Sequence, residues 1–235
     1  MNNNMYIYYR ISDTGYRKNK PTFINNESCF KNFISVFEKY KKNVFVIADN
    51  ICTDTHDILR KYIDEEQISI VSIGHGAGTF NLALDMSLLK NNDDIIYFVE
   101  NDYLHKANAD AVLLEGFELN SSFITLYDHP DKYMDPQYGG NPYCVGGSEI
   151  TRLYLGKSCH WKITNSTTMT FASKVSTLKS TEEIIRKWIA GSHPYDFQMF
   201  LDLGKNNHYL LSAVPGYATH GETEWLCPLT DWPNI

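Results

Sequence analysis

Ile95-Ile96-Tyr97-Phe98-Val99-Glu100-Asn101-Asp102 sets five apolar residues in an unbroken run and follows them with two carboxylates two places apart. A short apolar run without alternation fits a strand covered on both faces, as in a parallel sheet between helix layers. Working back from it, Phe80, Leu84 and Leu88 recur at helical spacing, behind a strand over 68–73 and the loop Gly74-His75-Gly76-Ala77-Gly78. Further back, Ile58, Leu59, Tyr62 and Ile63 mark a helix, and a buried-type strand over 44–48 closes on Asp49. Phe30, Phe33, Ile34 and Phe37 mark another helix, after a first strand over 6–11. Strand and helix in that rhythm predict an α/β three-layer sandwich with a central, mostly parallel sheet.

Ligands in such sheets collect beyond the C-terminal ends of the strands. Asp49, the glycine loop and Glu100-Asn101-Asp102 all fall at such ends. Side chains two apart in extended backbone point the same way. Two carboxylates so placed can converge on one hard cation, Mg²⁺ or Mn²⁺, together with ligand phosphate. A solvated strand end is the competing reading, since acidic residues are mostly exposed.

Downstream, a helix around Leu113, Leu114 and Phe117 and a strand over 123–126 precede a long segment, 128–147, rich in proline and glycine. Its breakers predict irregular structure, either a lid or a plain connection. Strands over 150–155 and 161–171 follow. Ser180 and Glu183 then read as a capping box opening a helix that buries Ile184, Ile185, Trp188 and Ile189. A short helix over 196–203 and a strand over 209–214 complete the pattern. No repeat or linker interrupts it, so 1–235 reads as one domain, with a donor half (1–105) and an acceptor half (106–235).

A net charge of -7 leaves no basic footprint for nucleic acid. The run Arg17-Lys18-Asn19-Lys20 reads as a solvated loop or as phosphate steering. Five scattered cysteines without a CxxC pair favour a reducing compartment over a disulfide framework. No stretch approaches a membrane span and no signal peptide is recognisable, so a cytoplasmic location is expected, including that of a virus-infected cell.

The segment Tyr97-Phe98-Val99-Glu100-Asn101-Asp102-Tyr103-Leu104-His105 resembles the metal-binding stretch of GT-A-fold glycosyltransferases, with Glu in place of the usual first Asp. The opening Tyr6-Ile7-Tyr8-Tyr9-Arg10-Ile11-Ser12 and the order of later segments resemble small glycosyltransferase domains of large DNA viruses, one family of which includes a rhamnosyltransferase domain. The resemblance implies a GT-A-like fold and a metal-dependent transfer, by inversion, from a nucleotide-sugar donor (UDP-sugar favoured) to a glycan or other hydroxyl acceptor. It implies Mn²⁺ or Mg²⁺ on Asp102 and the terminal histidine His220. Arg10, Ser12, Asp49, Gly76, Asn81 and Glu100 would lie with the nucleotide. Asp196 would be the base, with Asp202, Asp128 and Asp131 as alternatives. For Asp49 a turn or helix cap is the equal alternative.

Other readings stay open. Gly74, Gly76 and Gly78 give GxGxG, but a dinucleotide fingerprint wants its third glycine where Thr79 stands. Eight histidines without HExxH make a poor zinc hydrolase. A non-catalytic nucleotide- or sugar-binding module and a nucleotidyltransferase remain alternatives.

Overall fold

The computed structural model describes residues 4–15 and 18–235. Arg17 of the basic run therefore lies outside the described residues. Four parallel strands, β1 (Met5–Ser12), β2 (Val44–Asp49), β3 (Ile68–Val71) and β4 (Ile95–Glu100), form one side of a nine-stranded sheet in the order β3-β2-β1-β4. The sheet continues through β9 (Phe171–Lys174), β6 (Phe123–Thr125), β10 (Leu210–Val214), β8 (His160–Thr164) and β7 (Leu153–Leu155). Only β8 and β9 run against the other strands. A separate pair, β5 (Tyr103–His105) and β11 (Ala218–His220), is antiparallel.

Continuous apolar strands are explained by two cores. Ile7 and Tyr9 of β1 pack with α1 (Asn26–Val36), α2 (Thr53–Arg60) and α4 (Ala109–Glu118). Tyr8, on the opposite face, packs with α3 (Gly76–Leu88), α5 (Val175–Trp188) and α6 (Asp196–Lys205). Phe is a mediocre helix former, yet α1 carries Phe30 and Phe33 fully buried. Each contributes about 1.5–3 kcal/mol by burial, which outweighs propensity. Asn25 starts the helix by accepting from the Ser28 amide at 2.9 Å, and Ser28 bonds back to the Asn25 amide.

Two expected elements differ. The strand expected over 161–171 is two strands, β8 and β9, at separate places in the sheet, joined by the polar loop 165–170. The Ser180–Glu183 capping box is inside α5, which begins at Val175 directly after β9. No side-chain cap is needed there, because the Val175 and Ser176 amides donate to the carbonyls of Asp94 and Asn92. Segment 128–147 holds two short 3₁₀ turns. It is fastened by two buried lysines. Lys132 reaches Asp131 and Ser166, and Lys162 reaches Asp128 and Glu149. Those anchors speak against a lid hinged at Asp128.

His105 is fully buried beside Phe33 and Phe37, with Nε2 2.8 Å from the Tyr97 hydroxyl. Burial pulls its pKa down to about 3. A depressed value means the unfolded chain takes the proton first. Stability is full above about pH 6.5 and falls as pH drops from there toward 3, at about 1.4 kcal/mol per pH unit. Urea unfolding of wild type and His105→Gln across that window should show the wild-type curve steeper by one proton. Parallel curves would mean His105 is already charged in the fold.

Candidate metal and nucleotide site

The strand order 3-2-1-4 reverses direction between β1 and β4, and a crevice opens at such a switch point. Parallel register places Arg10 of β1 beside Glu100 of β4, and Ser12 beside Asp49. Arg10, only 5% exposed, donates from Nη2 to Glu100 Oε1 at 3.0 Å. Its Nη1 donates to the Gly76 carbonyl at 3.1 Å, and its guanidinium lies 5.3 Å from the Phe80 ring centroid. Arg10 thus ties two strand ends to the start of α3. Removing one partner of such a buried pair is far costlier than the pair is worth.

After Glu100 the backbone turns, so the two carboxylates do not lie on one extended strand as the spacing suggested. They converge all the same. Asn101 holds the turn by donating to Asn26 Oδ1 at 2.6 Å, and Asp102 is buried. β5 then pairs with β11 so that His220 faces Tyr103 in register, which carries the imidazole to Asp102. Glu100, Asp102 and His220 each offer one ligand atom within 4.8 Å of the others. Neighbouring and opposite ligands of an octahedral cation with bonds of about 2.1 Å stand about 3–4.2 Å apart, so small side-chain shifts close the shell. The two carboxylates are donors that Mg²⁺ and Mn²⁺ share, and the imidazole nitrogen favours Mn²⁺ over the harder Mg²⁺. His220 Nδ1 is buried without a hydrogen bond among the described residues. The residues fit a divalent cation.

Positive charge already gathers there. Asp102 Oδ2 lies 3.0 Å from Lys20 Nζ, 3.6 Å from Lys18 Nζ and 3.4 Å from His220 Nε2. Burial pushes the Asp102 carboxyl up, but His220, Lys18 and Lys20 together hold it well below the ordinary carboxylate range.

Asp49 spends both oxygens on the backbone. Oδ1 accepts from the Ile73 amide at 2.7 Å and Oδ2 from the Gly74 amide at 2.8 Å. This is the turn-holding alternative weighed for it, and it fixes the loop leading to Gly76. Gly74 needs its positive φ of 83°, and a Cβ on Gly78 would strike Ile73 at 2.4 Å. The amides of Ala77, Gly78 and Thr79 go to Ser192, His75 and His75, so this helix start is not an open phosphate cradle. Gly76 enters the site through its carbonyl on Arg10. Ser12 accepts from the Thr14 amide at the end of β1. Asn81 is not brought to the crevice. It accepts from Arg186, in a network with Asp85 and Glu182 that joins α3 to α5.

Asp196, at the start of α6, accepts the amides of Thr167 and Thr168 on Oδ2, both at 2.8 Å. Thr168 and Met169 take left-handed φ of 46° and 58°, costly for non-glycine residues and a feature that clusters at functional sites. Thr168 meets the Tyr103 hydroxyl, and the Met169 carbonyl accepts from Arg10. This loop is a wall of the crevice that no sequence pattern announces. Asp13 is a second missed residue: it accepts from the Cys52 amide, Thr55 and Asn26, joining the starts of α1 and α2 to the segment after β1. The competing carboxylates are engaged elsewhere. Asp128 lies in a buried pair with Lys162, and Asp202 on α6 meets Lys187, Lys205 and the Trp188 indole. Asp131 is raised by burial but held at about 2 by His129 and Lys132.

No protein-family model and no curated protein matches the chain. Solved structures do. One is a CMP:2-keto-3-deoxy-manno-octonic acid synthetase complexed with CTP, at a TM-score of 0.50 and 12% identity, covering 91% of this chain and 92% of that one. Another is GalNAc-T7 with UDP, GalNAc and Mn²⁺, at a TM-score of 0.56 and 12% identity, covering 95% of this chain but 45% of that one. At such identities the likeness speaks for architecture alone. In architecture, this chain has the GT-A-like α/β fold found in nucleotide-sugar enzymes.

Proposed function

We propose that this protein is a metal-dependent glycosyltransferase, moving a sugar from a nucleotide-sugar donor to a hydroxyl of a glycan or other acceptor. The observation that carries the reading is the convergence of Glu100, Asp102 and His220 at the switch-point crevice. Asp102 and His220 would hold Mn²⁺ or Mg²⁺, with Glu100 beside them. A cation held there would supply positive charge to the departing nucleoside diphosphate. Arg10 fixes Glu100, while Ser12 and the loop that Asp49 holds border the nucleotide. UDP is the favoured carrier.

Asp196 serves as base through Oδ1, the oxygen without a partner among the described residues. It takes the acceptor proton as the acceptor oxygen bonds to the anomeric carbon and the bond to diphosphate breaks, which inverts the configuration. The acceptor rests in an open cavity of 610 Å³ lined by Tyr143, Ile150, Arg152, Asn165 and Tyr209 among others. Tyrosine rings offer sugars an apolar face with a wet polar tip. Asn165 begins the loop whose Thr168 and Met169 border the crevice, so cavity and crevice share a wall.

The test is product analysis. UDP-, GDP- and dTDP-sugars incubated with the protein and Mn²⁺ should yield free nucleoside diphosphate, faster with acceptor present. Pyrophosphate from a nucleoside triphosphate would make it a nucleotidyltransferase. A donor that binds without yielding either product would make it a binding module.

A further inference from the structure

Two ammonium groups lie on the carboxylate to which the cation is assigned. Lys20 and Lys18 stand 3.0 and 3.6 Å from Asp102 Oδ2, and Lys18 Nζ is also 2.9 Å from His220 Nε2. The contact is built. Asn19, between the two lysines, accepts on its carbonyl both the amide and the hydroxyl of Thr223, each at 2.8 Å. That bond fastens the basic segment to the residues following His220. Gly221 lets the strand end pass close, since a Cβ there would meet Asp102 O at 2.7 Å. The lysine side chains remain 29% and 31% exposed, so their stems can swing while the backbone stays anchored.

A divalent ion about 2.1 Å from Asp102 would lie within a few ångströms of both ammoniums, and that repulsion is poorly screened at a buried carboxylate. Lysines and cation therefore compete for Asp102. Charge balance shows where the lysines go. With His220 taken as the neutral imidazole that a metal ligand must be, Glu100, Asp102 and Glu222 face Arg10, Lys18 and Lys20, which sums to zero. Adding a divalent cation leaves two surplus positive charges, matching the doubly negative diphosphate of a nucleotide-sugar.

Resting on the function proposed above, we infer that Lys18 and Lys20 are stand-in cations at Asp102 that a divalent ion displaces, and that the freed ammoniums then bind the donor diphosphate. The lysines therefore oppose the ion when it is alone and favour the anion once the ion is bound. Solvation by water on one side cannot produce that pair of opposite effects.

Mn²⁺ binding, read from loss of the free-ion electron paramagnetic resonance signal, tests the first half. UDP titration calorimetry in saturating Mn²⁺ tests the second. The proteins are the wild type, Lys18→Ala/Lys20→Ala and Lys18→Gln/Lys20→Gln, the last keeping the stems, each checked for native thermal unfolding. Both double variants should bind Mn²⁺ alone roughly tenfold more tightly, and UDP with Mn²⁺ roughly tenfold more weakly. Adding Asp102→Ala should abolish the tight Mn²⁺ binding. Equal Mn²⁺ affinity in wild type and double variants overturns the inference and leaves the metal reading intact. Failure of every protein to bind Mn²⁺ while UDP binding still needs the lysines overturns both, leaving the lysines as a permanent counter-charge.

Discussion

Asp102→Ala is expected to give a folded protein whose affinity for UDP no longer responds to Mn²⁺ and whose turnover falls at least ~10²-fold. The carboxylate is 5% exposed and is the member of the cluster that Lys18, Lys20 and His220 all reach. Its loss removes the atom through which His220 and the cation are brought together. The fold should survive, because Lys18 and Lys20 can turn to solvent and His220 stays stacked near Tyr103 and Tyr127. Calorimetry of UDP with and without Mn²⁺, on wild type and variant, decides the matter. If both proteins gain the same affinity from Mn²⁺, the cation sits elsewhere.

The second large effect concerns Asp196, where a catalytic and a positioning role make different forecasts. Asparagine keeps an oxygen able to accept the Thr167 and Thr168 amides, so Asp196→Asn should unfold within about 1 kcal/mol of wild type. Without a base, its turnover should drop at least ~10²-fold at unchanged donor affinity. Asp196→Ala leaves two amides unpaired, about 1–3 kcal/mol each, and releases the left-handed loop, so stability and activity should fall together. Steady-state rates and urea midpoints of both variants separate the cases. An Asp196→Asn enzyme at near wild-type rate would make Asp196 the holder of that loop. The base would then be sought among Asp128, Asp131 and Asp202, whose Asn variants serve as parallel controls.

What could be read in the sequence was what depends on local pattern. β1, β2 and β4 announce themselves because burial on both faces makes all but the residues near their C-terminal ends apolar. β3 was read two residues too long, since the Ile73 amide leaves the ladder for Asp49, a partner 24 positions away. β8 and β9 merge into one strand because the residues between them include β-formers such as Thr167 and Thr168, and the left-handed turn at Thr168 and Met169 is held by Asp196 and Tyr103 from outside the segment. The start of α5 was missed for the same reason: its cap is made of distant carbonyls. In the site, Glu100 and Asp102 were visible as a pair, and the resemblance pointed to His220. The geometry that unites them comes from β5–β11 pairing and from Asn101, neither of which leaves a periodicity to detect. Asn81 looked well placed beside the glycine loop, but α3 turns it toward Arg186.

The β5–β11 pair has a consequence for how the molecule comes together. Lys18 and His220 meet across 202 positions of sequence, so the cation cluster is closed by contacts of very high order, among the most expensive in chain entropy. The parallel strands β1 to β4 can pair over much shorter separations and make a sheet with no working centre. On the proposed reading, ion affinity would belong to this long-range closure and not to the sheet. Because an ion that binds only the closed form adds its binding free energy to that form, each ion bound would act as a clasp on the last step of assembly.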